Sequence, residues 1–281
     1  PEQLAVDHTL AAEIPAEAEV VKTRIIEPYE LYKKFLKKSG HSKEAVEVNP
    51  VNAQNKSKLQ KMAMWVRGNL FRPDPRCLWI GPSVRFLKKY LKEHPVDLIV
   101  STGPPQSMHL IGRRLAAETG IPWIADFRDP GTKIFYFKHL SMTRATQKWH
   151  EKMEARVLNE ATAVVAVSPL VQQDFQAMTQ TPVELITNGF DECDFAADRC
   201  TEAFGGPSAE FTVTHTGLFA ADGNPTVIWD VLAEKCKACE QFGKALRIKL
   251  IGKTDSQIIK AVTDAGLEKN KYERLKRLHR R

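Results

Sequence analysis

The sequence predicts an α/β protein built on parallel sheets, with one doubly wound unit followed by a second, incomplete alternation of the same kind. Three observations carry this. Short apolar runs recur at residues 98–100, 121–125 and 161–167, continuous rather than alternating, as in strands buried on both faces. Segments of helical period lie between them. Each run stops at a polar or glycine-containing turn, and after a glycine- and proline-containing stretch at 191–208 the pattern resumes at Phe211.

Residues 97–130 show the pattern at its plainest. Leu98, Ile99 and Val100 stop at Ser101-Thr102-Gly103-Pro104-Pro105. A helix follows with Met108, Ile111, Leu115 and Ala116 on one face, and the run 121–125 stops at Asp126-Phe127-Arg128-Asp129-Pro130. Two parallel strands joined by a helix end at the same edge of their sheet. Both polar loops are therefore expected side by side, at the edge where open α/β sheets bind ligands.

Upstream, Val20-Val21 and Arg24-Ile25-Ile26 suggest a short strand, and residues 29–38 a helix with Leu31, Phe35 and Leu36 inward. Residues 39–57 read as a long loop. A helix over 58–70 places Leu59, Met62, Trp65 and Val66 at core spacing. Phe71-Arg72-Pro73-Asp74-Pro75 is a rigid turn, and Pro82 opens a helix to Glu93. Beyond Pro130, residues 131–141 are rich in aromatics and read equally as a cleft-lining loop or a segment packed on the sheet edge. Ser141 is expected to cap a helix to Glu160, and Ser168-Pro169 to open another. A short strand at 183–186 leads to the sharp turn Thr187-Asn188-Gly189. In the second unit a strand over 211–216 ends at Gly217, and a helix from Asn224-Pro225 runs to Phe242. A strand over 245–251 then ends at Gly252-Lys253, and a helix covers 256–265. Two strands and two helices are too few for a complete parallel domain. The expected division is 1–190, a linker at 191–208, and an incomplete domain at 209–281.

Composition narrows the function classes. The chain has 281 residues, 43% hydrophobic and 27% charged, as in a globular protein. No apolar run approaches the ~18 residues of a membrane span, and residues 1–20 lack the basic start and apolar stretch of a secretion signal. The chain begins with Pro1, consistent with processing or with a piece of something longer. Of the net charge of +7, residues 269–281 carry seven Lys/Arg against one Glu, leaving the rest near neutral. The basic character is thus a tail, read as a solvated helix end. Touching acidic lipid or RNA is the alternative, and a nucleic-acid partner is not expected. Five cysteines are an odd number, and reduced thiols are the default. Cys236 and Cys239, with Cys193 and Cys200, could in principle hold zinc, but Cys236-Lys-Ala-Cys239 falls within a helical run and reads as small helix residues.

The ordered series DLIVSTGPPQSMHLIG, GIPWIADFRDP, TAVVAVSP, ITNGFDECDF, FTVTHTGLFAADGNP and LIGK resembles bacterial glycosyltransferases of family four. The turn PDPRCLW is similar to a subgroup of that family. The resemblance covers nearly all of residues 1–268. It implies a GT-B architecture of two Rossmann-like domains, the first holding an acceptor and the second a nucleotide-sugar donor, with ITNGFD as the hinge. It implies transfer of a sugar to a glycan or lipid-linked acceptor, usually with retention, in cell-surface polysaccharide or glycolipid assembly. It also implies a cytoplasmic location at the inner membrane face, with no cofactor; no metal is required, and no compact Asp-x-Asp is present.

Under this resemblance Ser101, Thr102 and Gly103 line the acceptor pocket, with Arg128 and Asp129 on sugar hydroxyls. Asp126 and His109 are the candidate catalytic groups. Other readings stand beside these: His109 as a packing residue, and Asp126 and Asp129 as partners of Arg128 or helix caps. On the donor side Gly217, Asn224, Gly252 and Lys253 offer backbone N–H groups and a cation to the departing diphosphate, although Gly217 could serve the turn alone. The family's Pro-x-Gly-Gly loop is not found before Glu30, nor its Glu-x7-Glu region after residue 254. The expectation is therefore a fragment with impaired activity. A non-catalytic binding module with a basic arm is the alternative reading.

Overall fold

The computed structural model describes residues 14–25, 58–134, 137, 140–190, 209–267 and 271–275. The expected helix at 29–38, the loop at 39–57 and the linker at 191–208, with Cys193 and Cys200, lie outside the described residues. The chain divides into two compact units, Pro1–Gly189 and Phe190–Arg281.

The first unit holds a four-stranded parallel sheet of β1 (Ile99–Gly103), β2 (Trp123–Phe127), β3 (Ala163–Ala166) and β4 (Val183–Leu185), in the order β1-β2-β3-β4. Its helices are α1 (Lys58–Leu70), α2 (Ile80–Glu93), α3 (Ser107–Thr119), α4 (Arg144–Glu160) and α5 (Pro169–Gln176). The strands add in one direction, so right-handed crossovers put α3, α4 and α5 on one face of the sheet. Burial agrees. Ser101, Trp123, Ala125, Phe127, Val164, Ala166 and Val183 are buried, whereas Ile124, Asp126 and Val165 are half-exposed and Val100 is 58% exposed. Among the described residues this sheet is thus covered by its crossover helices on one side, not doubly wound. The strand runs that looked buried on both faces are buried on alternate residues.

Local chemistry fixes the elements. Ser168 caps α5 through Val171 N–H, with Pro169 in its first turn, and Gly120 at φ 76° ends α3. Three expectations are corrected. Residues 20–25 form no strand. Instead Thr23 Oγ1 accepts from Trp79 Nε1 at 2.7 Å and Glu19 accepts from Tyr90 at 2.5 Å, so this segment is held by side chains rather than a ladder. The cap of α4 is Thr143, whose Oγ1 accepts from Thr146 N–H, not Ser141. On α1, Met62 and Trp65 are exposed, while Met64, Gly68 and Asn69 are buried. The reason is polar. Asn69 donates to the carbonyls of Trp65 (2.8 Å) and Ser141 (2.9 Å) and accepts from Thr143 N–H (2.8 Å) and the Thr146 hydroxyl (2.9 Å). A buried amide left unbonded would cost about 1–3 kcal/mol, and satisfying this one sets which face of α1 turns inward.

The second unit holds β5 (Phe211–Thr216), β6 (Leu246–Ile251) and β7 (Tyr272–Leu275), all parallel in the order β5-β6-β7, with α6 (Thr226–Ala238), α7 (Glu240–Ala245) and α8 (Ser256–Asp264). Leu246, Ile248 and Leu250 of the central strand pack against Trp229, Leu232, Ile258 and Val262. Two further corrections arise here. The basic stretch after residue 269 contributes a third strand, because Tyr-Glu-Arg-Leu pairs along an edge where charged side chains are tolerated. The expected helix to Phe242 breaks at Cys239, which adopts φ −139°, ψ 109° and caps α7.

Candidate functional site

The carboxyl ends of β1 and β2 meet as predicted. Gly103 pairs with Phe127 across the sheet, and Gly103 O accepts from Arg128 N–H at 2.9 Å, so the two polar loops lie side by side. Thr102 is exposed and stands opposite Asp126. Asp126 lies 3.3 Å from Arg128, whose other terminal nitrogen donates to Asn188 Oδ1 in the turn after β4. Arg128 thereby links the end of β2 to the end of the first unit. Burial pushes the Asp129 carboxyl up from its ordinary value. Thr102, Asp126, Arg128 and Asp129 thus share one half-exposed edge, and the pairing of Asp126 with Arg128 is present.

Ser101, Gly103 and His109, expected at an acceptor pocket with packing as the other reading of His109, are buried beneath that edge rather than on its surface. β1 runs three residues beyond its apolar stretch, and its inward positions are Ser101 and Gly103. Ser101 Oγ accepts from Trp123 Nε1 at 2.8 Å and lies 2.9 Å from His109 Nδ1. His109 is 0% exposed, and its ring lies 4.3 Å from that of Phe127. Burial holds its pKa down to about 3. Among the described residues its Nε2 has no hydrogen-bond partner, and it lies 2.5 Å from where a Cβ on Gly103 would stand. This layer therefore supports the loop from beneath.

In the second unit Gly217 and Gly252 sit together at the ends of β5 and β6. A Cβ on Gly252, at φ 117°, would stand 2.3 Å from Gly217 O, so only glycine fits. Their own N–H groups are spent on Ile251 O and Leu275 O. Among the described residues the Leu218 and Lys253 N–H groups have no backbone acceptor, so the donors at this edge stand one residue later than the sequence suggested. Asn224 accepts from Trp229 Nε1 at 2.8 Å and precedes α6 without capping it.

Sequence reasoning missed two features. Asp74, placed in a rigid turn, accepts from Ser107 N–H (2.7 Å), the Ser107 hydroxyl (2.9 Å) and Arg76 N–H (2.8 Å), filling the N-terminal end of α3 with a carboxylate. The other is a cavity of about 350 Å³ in the first unit, lined by Asp74, Phe127, Phe137, His150 and Glu154 among others. Glu154 accepts from Thr132 N–H (2.8 Å) and the Thr132 hydroxyl (2.5 Å), and burial pushes its carboxyl up. The signal for it was on α4, where His150, Met153, Glu154 and Val157 fall on one stripe and all are buried.

The profile of Glycosyltransferase Family 4 matches residues 36–192, over half of the chain. No curated protein matches. Among solved structures, a UDP-forming α,α-trehalose-phosphate synthase from Burkholderia xenovorans is 11% identical with a TM-score of 0.48, covering 72% of this chain and 53% of that one. A glycosyltransferase from Rickettsia africae is 13% identical with a TM-score of 0.43, covering 87% and 57%. A UDP-GlcNAc 2-epimerase from Neisseria meningitidis bound to UDP-GlcNAc is 8% identical with a TM-score of 0.39, covering 80% and 63%. The chain spans little more than half the length of these structures.

Proposed function

The chain belongs to glycosyltransferase family 4, and from that premise we propose that it takes part in transferring a sugar from a nucleotide-sugar donor to a hydroxyl of a glycan or lipid-linked acceptor. The reading has the acceptor at the edge formed by Thr102, Asp126, Arg128 and Asp129. Asp126 orients the attacking hydroxyl, and Arg128 and Asp129 hold its neighbours. Ser101, Gly103 and His109 act as positioning residues beneath that edge. The donor diphosphate lies against the Gly217 and Gly252 turns, with the Leu218 and Lys253 N–H groups and the Lys253 ammonium taking up the charge that develops as the sugar–phosphate bond breaks. No metal is invoked. Transfer proceeds with retention, within assembly of cell-surface polysaccharide or glycolipid, at the inner face of a membrane that the basic residues after 269 contact. No helix among the described residues is long and apolar enough to cross a membrane.

The observation that carries this reading is the family match joined to the Gly217–Gly252 approach, which leaves two N–H groups and a lysine at one sheet edge. Thermal shift against a panel of nucleotide-sugars tests it, because a ligand bound to the folded state raises the melting temperature by mass action. At least one nucleotide-sugar is expected to raise it in a concentration-dependent way. No shift across the panel would overturn the reading.

A further inference from the structure

The cavity of about 350 Å³ lies between the end of α1, the turn after it, the turn at Pro104-Pro105-Gln106 and α4. It is of the size that holds a small organic ligand. Most of its wall is apolar, from Phe71, Phe127, Ile134, Phe137, Leu140 and Met153. Most of its polar wall is already committed. Both Asp74 oxygens serve the start of α3, both Glu154 oxygens face Thr132, and Arg67 and Arg76 are engaged by other residues.

His150 differs from these. It is 4% exposed, lines the cavity, and receives no hydrogen bond from any described residue. Its ring stands edge-on to Phe137 at 5.0 Å and to Trp149 at 5.2 Å. Burial, helped by the Arg72 charge, holds its pKa down to about 4, so at neutral pH it presents one N–H donor and one lone pair, uncharged. Its ring nitrogens are not among the sealed, unpartnered atoms of the described residues, so they are open to the cavity, where a ligand hydroxyl can bond to one of them. Charged groups of both signs line the wall, Asp74 and Glu154 beside Arg67 and Arg76, and all are already engaged, so a charged ligand would find no uncommitted counter-charge among these lining residues.

We propose that this cavity binds an uncharged amphiphile, its apolar body against Phe71, Phe137, Leu140 and Met153 and a hydroxyl on His150. As the acceptor's own subsite it rests on the transferase reading; as a binding site it does not.

The probe is n-octyl β-D-glucoside below its micelle concentration, compared with octanoate, which keeps a tail and carries a charge, and methyl β-D-glucoside, which has no tail. Binding is followed by calorimetry and by the imidazole C–H resonances of His150 in the unaltered chain. Saturable binding of octyl glucoside with a shift of the His150 signals is expected, the other two binding at least tenfold more weakly. His150→Phe should weaken octyl glucoside about tenfold, the worth of one hydrogen bond, and Met153→Trp should fill the cavity and abolish binding. Equal binding of octanoate or methyl glucoside, an unmoved His150 signal, or no saturable binding would each overturn the proposal. If either variant fails to fold, the three-ligand comparison on the unaltered chain decides alone. Failure of the transferase reading looks different: octyl glucoside would still bind while no nucleotide-sugar shifted the melting temperature.

Discussion

Adding one methyl group at Gly103 probes the support beneath the candidate acceptor edge. In Gly103→Ala the new Cβ would stand 2.5 Å from His109 Nε2, 3.0 Å from Cδ2 and 3.2 Å from Cε1. The ring has nowhere to retreat, being fully buried, bonded to Ser101 and packed at a tilt against Phe127. Overpacking of this kind costs about 1–3 kcal/mol, and losing the Ser101–His109 bond adds about 1 kcal/mol. The expected destabilisation is therefore about 2–4 kcal/mol. The contact itself is isolated by a double-mutant cycle. His109→Ala alone is destabilising because it leaves a void and strands Ser101, but it also removes the obstacle. The double variant should then be little worse than His109→Ala, with a coupling of about 2 kcal/mol. Urea unfolding followed by tryptophan fluorescence measures this, since Trp65, Trp79, Trp123 and Trp149 all lie in the first unit. Additivity within about 0.5 kcal/mol would refute the placement of His109 under Gly103.

Asp74→Ala removes two acceptor contacts at the start of α3 and a third to Arg76 N–H in its own turn, and should destabilise the first unit by about 2–3 kcal/mol, from charged hydrogen bonds and a lost cap; an unchanged urea midpoint would contradict this. Asp74→Asn should lose less, since an amide oxygen still accepts. Gly252→Ala combines a positive φ with a clash against backbone and should destabilise the second unit by more than 2 kcal/mol, read as faster proteolysis between Phe211 and Leu275. The pKa of His150 is lower in the folded state than its ordinary 6.5, so below about pH 6.5 the unfolded chain takes up a proton that the folded chain does not, and stability falls with pH toward 4. His150→Phe lacks this penalty. Its unfolding free energy relative to the unaltered chain should rise between pH 7 and 4.5, and a pH-independent difference would show that the imidazole is not buried uncharged.

The two-unit division, the parallel strands and the adjacency of the 101–105 and 126–130 loops were legible because β-branched runs, helix periods and turn residues all pointed the same way. What was not legible depended on contacts distant in sequence. Ser101 looks like loop, yet it is a strand residue whose hydroxyl serves Trp123 and His109. Nothing local at Asp74 says that it caps a helix 33 residues on. The face of α1 was misread because hydropathy favours Met62 and Trp65, while the buried amide of Asn69 governs the rotation of the helix. The β7 segment was hidden by its charges, which an edge strand accommodates. Of the candidate site, the adjacent loops that carry Thr102, Asp126, Arg128 and Asp129 came from pattern. The buried layer and the cavity wall on α4 required the packed structure.

The most direct test is calorimetric titration of the chain with uridine and guanosine diphosphates, beside Lys253→Ala. If the Gly217–Gly252 edge holds a donor diphosphate, one nucleotide binds saturably, and removing the Lys253 ammonium weakens it about 10- to 100-fold, the worth of one charge-assisted hydrogen bond, with the melting temperature of the free chain unchanged. Binding of equal strength in Lys253→Ala, or binding of neither nucleotide, would contradict it.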